Sequence, residues 1–375
     1  MKRFFTLLPL LLAGLAHAGD SLRIYSWGGS LPDTVLQRFE KECQCRVTQD
    51  SFGRGDELAA KLQAGARYDL VLPSSLSVPD LLAQKALLPL DRSRLANWRN
   101  LEPRLLNPPY DRGNGYTLPS ALALVSIGYN IEKLKQLGVD PYSWSALFDP
   151  RVLVRLKGHV FVPERPREVF AAALFYLGRS PIDASEADYR RAAEVIRAAR
   201  PYWTVPAGIS PARELVQGTA WLAMGHSSEM FQAREMARDE HRGFTVGNVL
   251  QREGNQLAVE VMAVTAASRH AELAWQFVNF MLDGHNAAEL TNINGAINPV
   301  ATALPFYRED LKVHPLITPE GEAIRKWVVL RALAPREQAV LLQLWNEVRV
   351  LPVLADTATR SGGHGGDRGK GSHVR

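Results

Sequence analysis

Apolar and polar residues alternate over Leu22-Arg23-Ile24-Tyr25-Ser26, the period-two pattern of a strand. Trp27-Gly28-Gly29-Ser30 breaks the pattern, and Pro32 suits a first helical turn. Val35, Leu36 and Phe39 then recur at helical spacing, predicting a helix through about Glu42. Strand character returns at Arg46-Val47-Thr48, and helix signals return over 56–64. Asp69-Leu70-Val71-Leu72 is a short apolar run of the kind buried on both faces of a sheet, ended by Pro73-Ser74-Ser75. This alternation predicts an α/β layer with a mostly parallel sheet. Ligands on such sheets bind just outside the carboxyl ends of the strands, so residues 27–30 and 74–76 are candidate site loops.

The second half continues in the same style. Residues 122–129 and 160–162 read as strands, and 144–155 opens a second region. A helix is predicted over 168–177, stopped by Gly178. Asp183 with Glu186 resembles a capping box for a helix reaching Arg200, which Pro201 stops. Strands are expected at 222–224 and 259–264. An amphipathic helix is expected over 271–282, with Leu273, Phe277, Phe280 and Met281 on one face, and a final helix over 336–350.

Composition changes the picture at the ends. The chain has 375 residues, 46% hydrophobic and 22% charged, enough for about two domains. Its formal net charge of +5 comes from Lys2 and Arg3 and from Arg360, Arg368, Lys370 and Arg375 against Asp367. The body between is neutral, which argues against nucleic-acid binding, since that needs a basic face to displace phosphate counterions. Met1–Ala18 reads as a signal peptide: basic start, apolar run, Ala16-His17-Ala18 cleavage site and Gly19 as first mature residue. The apolar run is too short for a membrane span, so a soluble, exported protein is expected. The Gly-rich segment 360–375 reads as a disordered tail, its His364 and His373 included. Cys43 and Cys45, one residue apart, read more readily as small thiols than as a strained disulfide, and without a nearby His they make no zinc site.

Catalytic signatures are missing. Gly225-His226-Ser227-Ser228 lacks the second glycine of a nucleophile elbow, and no phosphate-binding loop or H-E-x-x-H occurs. An exported two-domain α/β chain without these motifs points to binding rather than catalysis, with no cofactor and no metal expected.

Several blocks, in order, carry a resemblance: Ile24-Tyr25-Ser26-Trp27, residues 68–74, Ile127-Gly128-Tyr129-Asn130, residues 143–148, Arg167-Glu168-Val169-Phe170 and residues 275–282. Over roughly 22–350 the chain resembles the spermidine/putrescine-binding proteins of the periplasm, which serve ABC importers. The resemblance implies a two-lobed type II periplasmic-binding-protein fold, α/β with a mostly parallel sheet in each lobe and ligand in a cleft between lobes. The lobe boundaries it implies are 19–122 and 259–298 for the first lobe, and 123–258 and 299–359 for the second.

It also implies a site. Trp27, Ser74 and Glu168 match family cleft positions, and Glu260 falls where relatives place a central Asp. Protonated amines need carboxylates, and their methylenes need aromatic walls. Here Ser30 and Leu76 stand in place of Tyr, Arg165 in place of an acid, His226 and Ala258 in place of Trp, and Ala296 in place of Tyr. The candidate ligand-binding residues are therefore Trp27, Ser30, Ser74, Arg165, Glu168, His226 and Glu260. Five of them also have a plainer reading: Trp27 as core, Ser74 as a cap, Glu168 as a helix N-terminal charge, His226 as a satisfied polar group, and Arg165 as the ion-pair partner of Glu164 or Glu168. Glu260 sits in an apolar strand, where burial without a partner is costly, so a cleft position explains it better.

With the aromatic box depleted and one acid replaced by a cation, the expected cargo is a small amine-bearing solute, and putrescine or spermidine are expected to bind weakly. A zwitterionic or anionic solute is the alternative ligand class. A ligand sensor of the same fold is the alternative role, and an exported enzyme a third. The expected partners are a membrane permease and its ATPase subunits, with the binding protein itself a periplasmic monomer.

Overall fold

The computed structural model describes residues 20–53, 55–156, 158–204, 210–319 and 327–350. The leader read at Met1–Ala18 and the tail from Arg360 lie outside them. Nine strands occur among the described residues: β1 (Ser21–Trp27), β2 (Arg46–Phe52), β3 (Leu70–Val71), β4 (Leu118–Asn130), β5 (Val160–Phe161), β6 (Leu222–His226), β7 (Val246–Val249), β8 (Asn255–Val264) and β9 (Trp327–Val329).

The chain divides into two compact units. The first holds the described residues up to Ala121, Glu260–Ile293 and Asn298–Arg308. The second holds Leu122–Val259, Asn294–Ile297 and the described residues from Glu309. The sequence reading gave 299–308 to the second lobe. Backbone pairing explains the difference: Leu101 bridges Val300 and the Glu102 N–H donates to the Pro299 carbonyl at 2.8 Å, which ties that stretch to the first unit. Ile297 instead exchanges backbone bonds with Leu122 at 2.9 and 2.8 Å and so belongs to the second.

In the first unit β1 is central, parallel to β2 on one side and to β3 on the other. β3 continues antiparallel to the end of β8, pairing Leu70 with Val264 and Val71 with Ala263. Leu70 and Val71 are fully buried, as their continuous apolar run requires. The helix Asp33–Cys43 turns Val35, Leu36 and Phe39 inward, and Gln44 ends it in the left-handed conformation with φ 52°. Tyr25, Phe52, Leu58, Tyr68 and Leu81 form a core on this sheet. Cys43 and Cys45 form a disulfide, against the thiol reading.

The second unit's sheet is mixed rather than mostly parallel. β6 is parallel to β5 but antiparallel to β4, and β4 also pairs antiparallel with β7. A long strand entering from elsewhere in the chain is not bound by the βα crossovers that make neighbours parallel. β9 runs parallel to the start of β8. Trp144, Phe148, Phe170, Trp203 and Trp345 fill the core. Both central indoles find acceptors, Trp144 Nε1 on the Gly254 carbonyl at 2.9 Å and Trp203 Nε1 on that of Leu147 at 3.0 Å, as buried polar atoms must.

Helix limits fall close to the periodic pattern, at Pro166–Tyr176, Glu186–Ala199, Ala271–Met281 and Pro335–Arg349. One start moved. The capping box is Ser185 with Asp188, not Asp183 with Glu186: the Ser185 hydroxyl accepts the Asp188 N–H and the Asp188 carboxylate accepts the Ser185 N–H. The helix Ser227–Asp239, which the sequence reading missed, follows β6 directly and carries Glu229 in its first turn.

Candidate functional site

Each unit gathers its own set of the sequence-predicted residues. In the first, β1 ends at Trp27 and the chain turns at once: Gly29 adopts φ +78°, open to glycine without Cβ strain, and the Ser30 N–H returns to the Trp27 carbonyl at 3.1 Å. That turn aims the Ser30 hydroxyl at the Glu260 carboxylate, to which it donates. Glu260 sits on β8 between buried Val259 and Val261, on the strand face it shares with Ala258. Its other oxygen accepts the Ser120 hydroxyl at 2.9 Å. Two hydroxyls thus orient the carboxylate from either side.

Trp27 is half-buried, its ring 4.5 Å from that of Phe52 and tilted against it, so one side is packed. Ser74 faces Glu260 only through a backbone bridge. Its hydroxyl accepts the Leu76 N–H at 3.3 Å and caps the short helical turn Ser75–Ser77, the plainer of its two readings. Ser120 went unrecognised, since nothing about a serine in an apolar strand marks it before the strand's neighbours are known.

In the second unit, Arg165 precedes the helix Pro166–Tyr176 as its N-cap residue and Glu168 lies in the first turn. His226 ends β6. The partner of Arg165 is neither Glu164 nor chiefly Glu168: its guanidinium grips Glu229 through two bonds of 2.9 and 2.7 Å, with Glu168 at 3.8 Å. His226 Nε2 lies 3.0 Å from Glu168 Oε1, and its backbone N–H donates to Glu229 at 2.7 Å. The cluster therefore alternates acid and base, and sequence reasoning missed one of its four members. A signal existed: Glu229 stands three residues after His226, at the spacing of a residue that reaches back to a helix start.

Electrostatics follow the geometry. Burial alone would raise the Glu229 carboxyl, but the Arg165 guanidinium overrides it and, with the His226 ring and N–H, holds it at about 2. Burial likewise opposes ionised Glu168, and His226 and Arg165 together keep it below its ordinary value. The His226 imidazole is pulled down by burial and by Arg165 but more strongly up by Glu168 and Glu229, so it titrates above its ordinary 6.5.

The profile of bacterial extracellular solute-binding proteins matches residues 34–317. The chain belongs to that family. It is 39% identical over 353 residues to a putrescine/cadaverine-binding protein of Pseudomonas aeruginosa, covering 93% of this chain and all of the other. It is 30% identical to the putrescine-binding periplasmic protein of Escherichia coli, covering 92% of this chain and 95% of the relative. Among solved structures, a spermidine/putrescine ABC transporter protein of Listeria monocytogenes superposes with a TM-score of 0.77 at 25% identity, over 88% of this chain and 99% of that one. A solute-binding protein needs no nucleophile, which accords with the missing catalytic motifs: the chain is a transport-type binding protein and not an enzyme.

Proposed function

We propose that the protein is the periplasmic capture subunit of an ABC importer and that its cargo is a small aliphatic amine whose ammonium group binds Glu260. The observation that carries this is the setting of Glu260: a carboxylate raised from an apolar strand and aimed by the Ser30 and Ser120 hydroxyls. An ammonium group supplies three N–H donors and the opposite charge, so it adds charge-assisted bonds that the hydroxyls cannot. Trp27 supplies a ring face for methylenes. Leu76, where the resemblance implies a Tyr, adds no ring, so a short chain suits the site better than spermidine. The putrescine/cadaverine specificity carried in the name of the 39% identical relative supports the same ligand size.

On this reading Met1–Ala18 is removed on export, and the mature monomer hands its cargo to a permease with ATPase subunits. The neutral body gives it no reason to bind nucleic acid. A thermal-shift panel followed by calorimetry tests the cargo: putrescine, cadaverine and n-pentylamine should raise the melting point, since a ligand at one hundred times its Kd adds about 2.7 kcal/mol to native stability. Stabilisation by amino-acid or organophosphate anions with none by the amines would overturn the proposal.

A further inference from the structure

A cavity of about 370 Å³ is lined entirely by residues of the second unit. That volume falls within the range of about 300–1,000 Å³ usual for small-molecule sites. The helix Ser227–Asp239 supplies part of the lining: Met230 and Phe231 stand four and three residues before Arg234, so the three share one helix face. β4 supplies Tyr129 and β7 supplies Gly247, where a Cβ would lie 2.8 Å from the Tyr129 ring, so the ring is seated on bare backbone. Buried Leu316 and Ile317 extend the apolar lining, and Tyr142 is exposed at the rim.

Two nitrogen donors line the same cavity, Arg234 and His314. Arg234 makes no hydrogen bond among the described residues: Glu235 lies 3.7 Å from its Nε but closer, at 3.0 Å, to Arg238. His314 Nδ1 accepts the Leu316 N–H at 3.3 Å, which leaves the proton of the neutral ring on Nε2. Burial and the neighbouring Arg234 charge push the imidazole below its ordinary 6.5, against the pull of Asp310, and so favour that neutral form. A guanidinium with hydrogens to spare suits a carboxylate, whose two oxygens match its paired donors. Tyr129, Tyr142 and Phe231 offer aromatic faces for a flat apolar body. We propose that this cavity is a second ligand site, for a small aryl carboxylic acid whose carboxylate bonds Arg234 and the His314 Nε2–H and whose ring lies among the aromatic side chains. The site shares no residue with the Glu260 site of the first unit and does not rest on the amine reading.

Hydrocinnamate and hydrocinnamyl alcohol share a ring and a chain and differ in the carboxylate, so the ratio of their affinities isolates the charge. In calorimetry at pH 7, one hydrocinnamate should bind per chain, at least about tenfold more tightly than the alcohol, the worth of a charged hydrogen bond. Arg234→Met should cut the affinity for the acid by at least about tenfold and leave that for the alcohol unchanged. Thr245→Trp, which adds a ring at an exposed lining position, should weaken both. Glu260→Gln should change neither. No saturable binding of the acid, equal affinity for acid and alcohol, or binding lost in Glu260→Gln and kept in Thr245→Trp overturns the second site. If Arg234→Met fails to fold, the wild-type ratio and Thr245→Trp still decide. Putrescine titrated into the same preparation keeps these outcomes apart from a failure of the amine reading.

Discussion

Arg165→Met removes the charge that holds the second unit's acids while keeping an apolar stem of similar reach. The side chains of Arg165 and Glu229 are 32% and 22% exposed, so their two-pronged bond is largely shielded from water. Glu229 is held at about 2 against an ordinary 4.5. At 1.36 kcal/mol per unit that difference corresponds to about 3 kcal/mol of native stability. Because the folded value is depressed, this contribution is complete above pH 4.5 and drains away as pH falls toward 2. At pH 3 the unfolded chain is already protonated and only about 1 kcal/mol remains. Without Arg165 most of the contribution is lost at both pH values, the His226 ring and N–H keeping the remainder. Urea unfolding, followed by the fluorescence of buried Trp144 and Trp203, should therefore show Arg165→Met costing about 3 kcal/mol at pH 7 and about 1 kcal/mol at pH 3. An equal cost at the two pH values, or a cost under 1 kcal/mol at pH 7, would refute the ion-pair account.

Glu260→Gln should weaken amine binding by about one to two orders of magnitude, the worth of a charged hydrogen bond, as read by calorimetry. Its melting point should stay close to wild type, because the Ser30 and Ser120 hydroxyls can turn to meet the amide; an unchanged Kd would remove Glu260 from the site. Gly284 opens the helix Gly284–Asn294 against the Thr302 backbone, and a Cβ there would sit 2.4 Å from the Thr302 carbonyl oxygen. Since backbone cannot step aside as a side-chain tip can, Gly284→Ala should cost about 1–3 kcal/mol in urea unfolding, and wild-type stability would show that this approach is not tight.

Periodicity alone located β1, β3, the helices Asp33–Cys43 and Ala271–Met281, and the Trp27 and Ser74 loops, because hydrophobic spacing is a local record of which face is buried. The family resemblance picked out Glu260, and its place in an apolar run, where an acid has few reasons to be, agreed with it. The partners of those residues were a different matter. Ser120 reaches Glu260 across 140 residues and Glu229 reaches Arg165 across 64, separations that no spacing rule spans. The Cys43–Cys45 pairing and the mixed direction of the second sheet depended likewise on where the backbone returns. Local preferences wrote the elements and marked the costly charges; only the packed chain decided that one acid is aimed by hydroxyls and the others answered by an arginine and a histidine, because side-chain charge is balanced by neighbours in space.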